Sequence, residues 1–286
     1  MLYNFCNLSQ KRGNVAVKKL LCALIVVVVV ASCAVAETLQ TVGFLSRLNI
    51  SEEEFSNMLR KSQRAGSWRK LSGKHDLPNV KFYDSLTMML LALDRNEIDE
   101  VSLPQIVSEY LVKTVPEYDI SCITQTKASM GLAFGFREDN QALAEKVNEA
   151  LKAMKADHTL AELQGVYLYD RGKKTAAKFS TFKGAETLTV AITGDMPPLD
   201  YVDEAGRPAG FNAALLAELG RRLRMNVKLL NVESGARSSA LASGRADVVF
   251  WFETAEGGSW PYDASEGVLL SEPYYSWSKF LHIRRK

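Results

Sequence analysis

Apolar and polar residues alternate over residues 188–192, with Leu188, Val190 and Ile192 on one face of an extended chain. Gly194 and the pair Pro197 and Pro198 interrupt this strand, and a second turn runs from Gly206 to Gly210. Leu215, Leu216, Leu219 and Leu223 then recur at the spacing of one helical face. A strand over 227–232, a short helix over 236–243, a polar turn over 244–247 and a strand over 248–252 complete this part. The first half of the chain repeats the order. Residues 80–84 align with 227–231, and residues 90–99 with 238–247. In both, a helix ends in a polar turn and an acid, Asp99 or Asp247, leads into the next strand. A strand–helix–strand unit used twice predicts parallel α/β sheets with right-handed crossovers. Ser51, with Glu54 three residues on, predicts a capped helix start. Leu143, Val147, Leu151 and Met154 predict a helix over 141–156. The stretch 170–178 is charged and aperiodic and reads as an exposed tether.

Upstream of this pattern, Lys11, Arg12, Lys18 and Lys19 precede an apolar run over 20–31 and small residues ending at Ala34 and Ala36. That is the order of a secretory signal peptide, and the run is shorter than the ~20 residues that span a bilayer. Residues 30–33, ending in Cys33, also resemble a lipobox, so export as a lipidated protein is the alternative to cleavage after Ala36. The composition, 47% hydrophobic and 24% charged, suits a soluble chain with a sizeable core. A net charge of +2 makes no case for nucleic acid. Cys6 and Cys22 leave with the signal and Cys33 leaves or is lipidated, so Cys122 stays alone and no internal disulfide can form. His75, His158 and His282 are scattered without ligand spacing, and neither a metal nor a cofactor is expected.

The turn words of the last hundred residues come in a fixed order: Pro197 and Pro198, then Gly210 and Phe211 opening a helix, the segment 241–247, and Ser271 to Tyr275. In that order they resemble the first lobe of the periplasmic solute-binding proteins that capture polar amino acids for ABC importers. The first half is similar to that family's second lobe, in its opening strand at 41–46, its helix at 50–55 and the segments beginning at Asp84 and Ile98. Residues 130–140 and 141–156 are similar to its return strand and last helix. The resemblance covers 41–168 and 187–284, with the lobes in reversed order. It implies an α/β, two-lobed periplasmic-binding-protein-like fold, each lobe a mainly parallel sheet flanked by helices, circularly permuted. The implied parts are a signal peptide at 1–36, a second-lobe-like part at 37–127, and a return strand and helix packing on the other lobe at 128–168. A linker at 169–186 and a first-lobe-like part at 187–286 follow. One crossover between lobes would be 128–137; the loose ends of the other would be 37–42 and 280–284, close in space, which makes permutation tolerable. A monomer is expected, with a pair of chains exchanging lobes as the alternative.

The same resemblance implies a periplasmic or cell-surface protein that takes up a small polar solute, an amino acid or a relative, and delivers it to the permease of an ABC importer. Strand ends of open α/β sheets face the ligand crevice, which nominates Asp195, Tyr201 and Ser85. Thr254 keeps a position of the family's Ser/Thr-rich ligand loop. Other family contacts are replaced: Met196 stands for a stacking aromatic, Ser259 for the arginine that clamps a carboxylate, and Pro104 for the aspartate that holds an ammonium. A zwitterion buried without charge partners costs several kcal/mol. Arg237 and Glu253 are therefore the candidates to supply those charges from new positions, and Trp251 is a candidate stacking platform. The competing reading has Phe250 and Phe252 in the core and Trp251 covering a helix. A ligand-sensing or degenerate binding module is the second functional reading. A dehydratase-like enzyme, with Glu253 or Asp195 as acid, is the third, and the absence of a Ser/His/Asp set, a metal motif or a phosphate loop argues against catalysis.

Export sets a direct test. Mass spectrometry of the exported protein should find Glu37, or a lipidated Cys33, as the first residue. A chain that retains Lys18 and Lys19 would remove the basis for the localisation.

Overall fold

Pairing between distant segments, more than local pattern, organises this chain. The computed structural model describes residues 40–47, 49–64, 68–70, 78–169, 176–255 and 264–286. The expected signal peptide, with Cys6, Cys22 and Cys33, and most of the charged part of the tether lie outside the described residues. The first part runs β1 (Thr41–Leu45), α1 (Glu52–Arg64), β2 (Trp68–Lys70), β3 (Asn79–Tyr83), α2 (Leu86–Asp94), β4 (Glu100–Pro104) and α3 (Gln105–Thr114). The long strand β5 (Tyr118–Arg137) leads to helices α4 (Gln141–Ala156) and α5 (Thr159–Tyr167). After the tether come β6 (Thr187–Ile192), β7 (Asp195–Met196), β8 (Asp200–Val202), β9 (Pro208–Ala209) and α6 (Phe211–Leu223). The chain ends with β10 (Asn226–Asn231), α7 (Arg237–Ala242), β11 (Val248–Ala255), β12 (Val268–Leu270) and β13 (Tyr275–Arg285).

The main sheet has the order β10-β6-β11-β5-β13-β4-β1-β3, with β12 and β2 also pairing on β5. At one end β6 lies parallel to β10 and β11. At the other end β1 lies parallel to β3 and β4. These are the two lobes of an α/β fold, each a parallel sheet flanked by helices, and β5 and β13 join them. Residues 118–125 of β5 pair with β13 in the first lobe, and residues 130–136 of β5 pair with β11 in the second. Strand β13 does the same, meeting Leu132 to Met130 through Tyr275 to Trp277 and β4 through Phe280 to Ile283. The sequence places only a return strand at 128–137. The strand starts ten residues earlier, at Tyr118, because β13 supplies its backbone partners. Val101 of β4 faces both Gly43 and Ile283, so one strand separates β1 from β13.

Local rules hold where they are strongest. Ser51 and Glu54 form the capping box, with Ser51 N–H on Glu54 Oε2 at 2.9 Å and Glu54 N–H on Ser51 Oγ at 3.2 Å. Those bonds hold the Glu54 carboxyl below its ordinary range. Leu143, Val147, Leu151 and Met154 are all buried on α4, which packs against α6 and β5. In the core, Tyr274 donates to Phe250 O at 3.0 Å and Tyr275 stacks on Trp277. Between β6 and α6, the sequence shows only turns, whereas β7, β8 and β9 form a small antiparallel sheet of their own.

Gly210 fixes how α6 leaves that sheet. Its φ of 93° lies in the region that favours glycine, and a Cβ there would stand 2.6 Å from Leu199 O. Phe211 N–H and Asn212 N–H bond Pro198 O and Leu199 O in that approach. Gly210→Ala should therefore destabilise the fold by about 2 kcal/mol or more, measured by urea denaturation. An unchanged midpoint would show that the backbone can move away from the contact.

Candidate functional site between the two lobes

The C-terminal ends of the parallel strands bring charged groups of both lobes together. Asp195 opens β7, and its carboxylate accepts the N–H of Thr87 in the first turn of α2, across the lobes, at 3.2 Å. Ser85 caps that same helix: its Oγ accepts Met88 N–H at 3.2 Å. Burial pushes the Asp195 carboxyl up, against the backbone donors of Thr87 and Leu86. Tyr201 pairs with Asp195 across β7 and β8. Burial raises its hydroxyl pKa, with Tyr110, Asp203 and Tyr167 adding to the effect.

Glu253, on β11, faces Arg47, two residues past β1 in the other lobe. The guanidinium nitrogen and carboxylate oxygen lie 2.6 Å apart, and the side chains are 10% and 11% exposed. Beside them, Ser46 Oγ donates to Asp84 Oδ1 at 2.6 Å. The backbone carbonyl of Asp84 accepts Ser234 N–H from the second lobe at 2.8 Å. Asn49 Nδ2 also donates across to Ala264 O. Thr254 follows Glu253 in β11 opposite Gly131, and its Oγ1 would be 3.0 Å from a Cβ at that glycine.

Arg237 and Trp251 sit deeper. The Arg237 side chain is 1% exposed, with its guanidinium carbon 3.6 Å from the centre of the Trp251 ring. Its Nε donates to Ser234 O at 2.9 Å, Nη2 to Ser234 Oγ at 3.2 Å, and Nη1 to Trp251 O. The guanidinium thus ties the 234–236 turn to β11. Phe250, Trp251 and Phe252 are all buried, and the Trp251 indole N–H has no acceptor among the described residues. Trp251, the candidate stacking platform, is packed within the strand, and Phe250 and Phe252 lie in the core as the competing reading has them. Of the positions that depart from the family's grip, Met196 is buried, Pro104 precedes α3, and Ser259 lies outside the described residues.

Sequence reading missed Arg47, Asp84 and Asp200. Asp84 follows β3 directly and Arg47 lies two residues past β1, so the strand-end rule that nominated Ser85 could have found them; their partners across the lobes leave no local signal. Asp200 is 3% exposed and accepts Thr193 N–H at 3.0 Å, Gly194 N–H at 3.1 Å and Thr193 Oγ1 at 3.3 Å. It holds the loop from which Asp195 projects. A groove of about 500 Å³ lies away from these residues, by α7 and β12, lined by Arg137, Glu138, Ser238 and Glu266 among others. Among the described residues, no group of three or more His, Cys, Asp or Glu could hold a metal ion, and no helix is long and apolar enough to cross a membrane.

Burial pushes Asp200 up to about 6, against the amides of Gly194 and Thr193 and with repulsion from Asp195 adding to it. The folded state therefore holds the proton more tightly than the unfolded chain. That contribution to stability is complete below about pH 4 and is lost as pH rises through about 6. The loss amounts to about 3 kcal/mol at most. Urea denaturation of Asp200→Asn beside the parent should show the variant gaining on the parent by up to that amount between about pH 4 and 7. Parallel profiles would mean that Asp200 is ionised in both states.

Solved structures similar to this chain include a ligand-binding component of an ABC-type import system from Staphylococcus aureus, 10% identical, covering 87% of this chain and 66% of that one at a TM-score of 0.38. A putative L-cystine ABC transporter from Listeria monocytogenes is 12% identical over 86% of this chain and 82% of that one, at 0.38. A histidine kinase sensor domain with similarity to periplasmic binding proteins is 14% identical over 87% and 83%, at 0.36. The chain spans just under two thirds of the Staphylococcus protein, and likenesses at these scores say nothing of the site. No curated protein matches the sequence. From β6 to β13, residues 188–285 match the family of bacterial extracellular solute-binding proteins, family 3.

Proposed function

We propose that this protein is an exported solute-binding protein that captures a small polar solute, an amino acid or a relative, between its two lobes. The solute is then passed to the membrane permease of an ABC importer. The observation that carries the reading is that two acids at strand ends of the C-terminal lobe each bond across to the other lobe, Asp195 to Thr87 N–H and Glu253 to Arg47, in a chain whose residues 188–285 match the solute-binding family. Asp195, Glu253 and Arg47 supply charges of both signs; Tyr201, Ser85 and Thr254 border them. In this reading Arg237 and Trp251 act from behind, shaping the 234–236 turn.

We further read the lobe order as a permutation of the family's. The packing of α4 and α5 on α6 and the two strands that run through both lobes support it, because each lobe then draws on both ends of the chain. The boundaries are those expected at 37–127, 128–168, 169–186 and 187–286, in a monomer.

A sensor or degenerate module is the second reading. It is favoured by the replacement of the family's grip at Met196 and Pro104 and by the protein groups that already bridge the lobes. A thermal-shift screen against amino acids, short peptides and organic acids separates the two. A solute at ~100 times its dissociation constant should stabilise the native state by roughly 2.7 kcal/mol, and Glu253→Gln should weaken its binding by at least ~1 kcal/mol. A flat screen would sink the importer reading and leave the sensor.

A further inference from the structure

Among the described residues, the protein's own groups bridge the lobes at four points. Arg47 reaches Glu253, Thr87 N–H reaches Asp195, Ser234 N–H reaches Asp84 O and Asn49 reaches Ala264 O. We propose that the Arg47–Glu253 ion pair is a latch that holds the two lobes together without a solute, making Arg47 a positioning residue that sets the balance between open and closed forms.

Three observations carry this. The pair is close, at 2.6 Å, and each side chain is about nine-tenths shielded, so salt screens it far less than a surface pair. Its members come from different lobes, and the chain between them passes from one lobe to the other in β5. Strands β5 and β13 carry a structural break. Trp277 faces Met130 and Lys279 faces Gln125, so residues 126–129 of β5 stand opposite Ser278 alone. A bulge there interrupts the ladder at the level where the lobes join, as a hinge requires.

The physics makes such a latch reversible. A buried ion pair gains Coulomb attraction but loses the hydration of two charges, and the two terms nearly cancel. The pair therefore costs little to break when both charges regain water, so a modest interaction can shift the balance. Removing one partner is different, since it takes a close counter-charge from a shielded group, and opening the cleft is a way to hydrate that group. An entering solute must take over at least one of the two charges. Closure and ion-pair exchange are then one event.

The test uses the full exported chain, dialysed free of small molecules, so it stands apart from whether any solute is found to bind. Amide hydrogen exchange at Thr87 and Ser234 reports the closed form directly, because both N–H groups bond across the lobes. Small-angle scattering gives the radius of gyration. Arg47→Glu and Glu253→Arg, each placing like charges together, should speed exchange at both amides and raise the radius of gyration. The core amides of β6 should stay protected, which shows that the variants fold. The double exchange Arg47→Glu with Glu253→Arg should restore the slow exchange and the smaller radius. If the single variants keep the parent's protection at Thr87 and Ser234, or if the double exchange fails to restore it, the latch is overturned.

Discussion

The antiparallel pairing of β5 with β13 is the constraint on which the other features depend. A 20-residue strand is about three times the usual length, roughly 65 Å if straight, and it cannot stand alone. It is stable because β13, β11, β12 and β2 all use its edges. In the first lobe this ladder encloses a polar cluster. His282 Nε2 lies 3.3 Å from Ser102 Oγ and 3.2 Å from Thr124 Oγ1, and its Nδ1 lies 3.4 Å from Glu100 Oε2. Burial alone would raise the Glu100 carboxyl; bonds from His282 and Ser121 outweigh it and hold it below its ordinary range. A buried polar cluster of this kind specifies register, because a slip of one residue would separate its members.

The site inherits its geometry from this frame through two buried charges that never face the cleft. Arg237, stacked on Trp251, fixes the 234–236 turn, and that turn in turn bonds Asp84 of the other lobe. Asp200 fixes the Thr193–Gly194 loop, and that loop sets Asp195 against α2. In each case a buried side chain orders a nearby turn or loop, and a neighbour in that segment bonds across the lobes. Charged residues inside a lobe are tolerated because each is fully engaged.

The family match ends up confined to one lobe, residues 188–285, yet half of the bridging groups come from the other. Arg47, Asp84 and Thr87 belong to residues that the match does not cover. A search that stops at the matched segment would see a strand-end acid, Asp195, and a glutamate, Glu253, and would miss the cation that pairs with it.

The alternation at 188–192, the leucine spacing of α6, the Ser51–Glu54 box and the apolar face of α4 were legible because each is a short-range choice set by side chains a few residues apart. So was the repeated strand–helix–strand order, and with it two parallel sheets. The seven nominated residues divide along the same line. Asp195 and Glu253 bond across the lobes from strand ends, Tyr201 and Thr254 adjoin them in the strands, and Ser85 caps α2. Arg237 and Trp251 are drawn into the core, because residue type does not reveal whether a guanidinium will find carbonyls and a ring within reach. The length of β5, the small β7–β8–β9 sheet and the partnership of Arg47 with Glu253 rest on contacts between segments far apart in sequence. The amino-acid order alone determined the parts and which strand ends carry acids; only the folded chain decided which charges meet, because pairing across lobes is a property of distance in space.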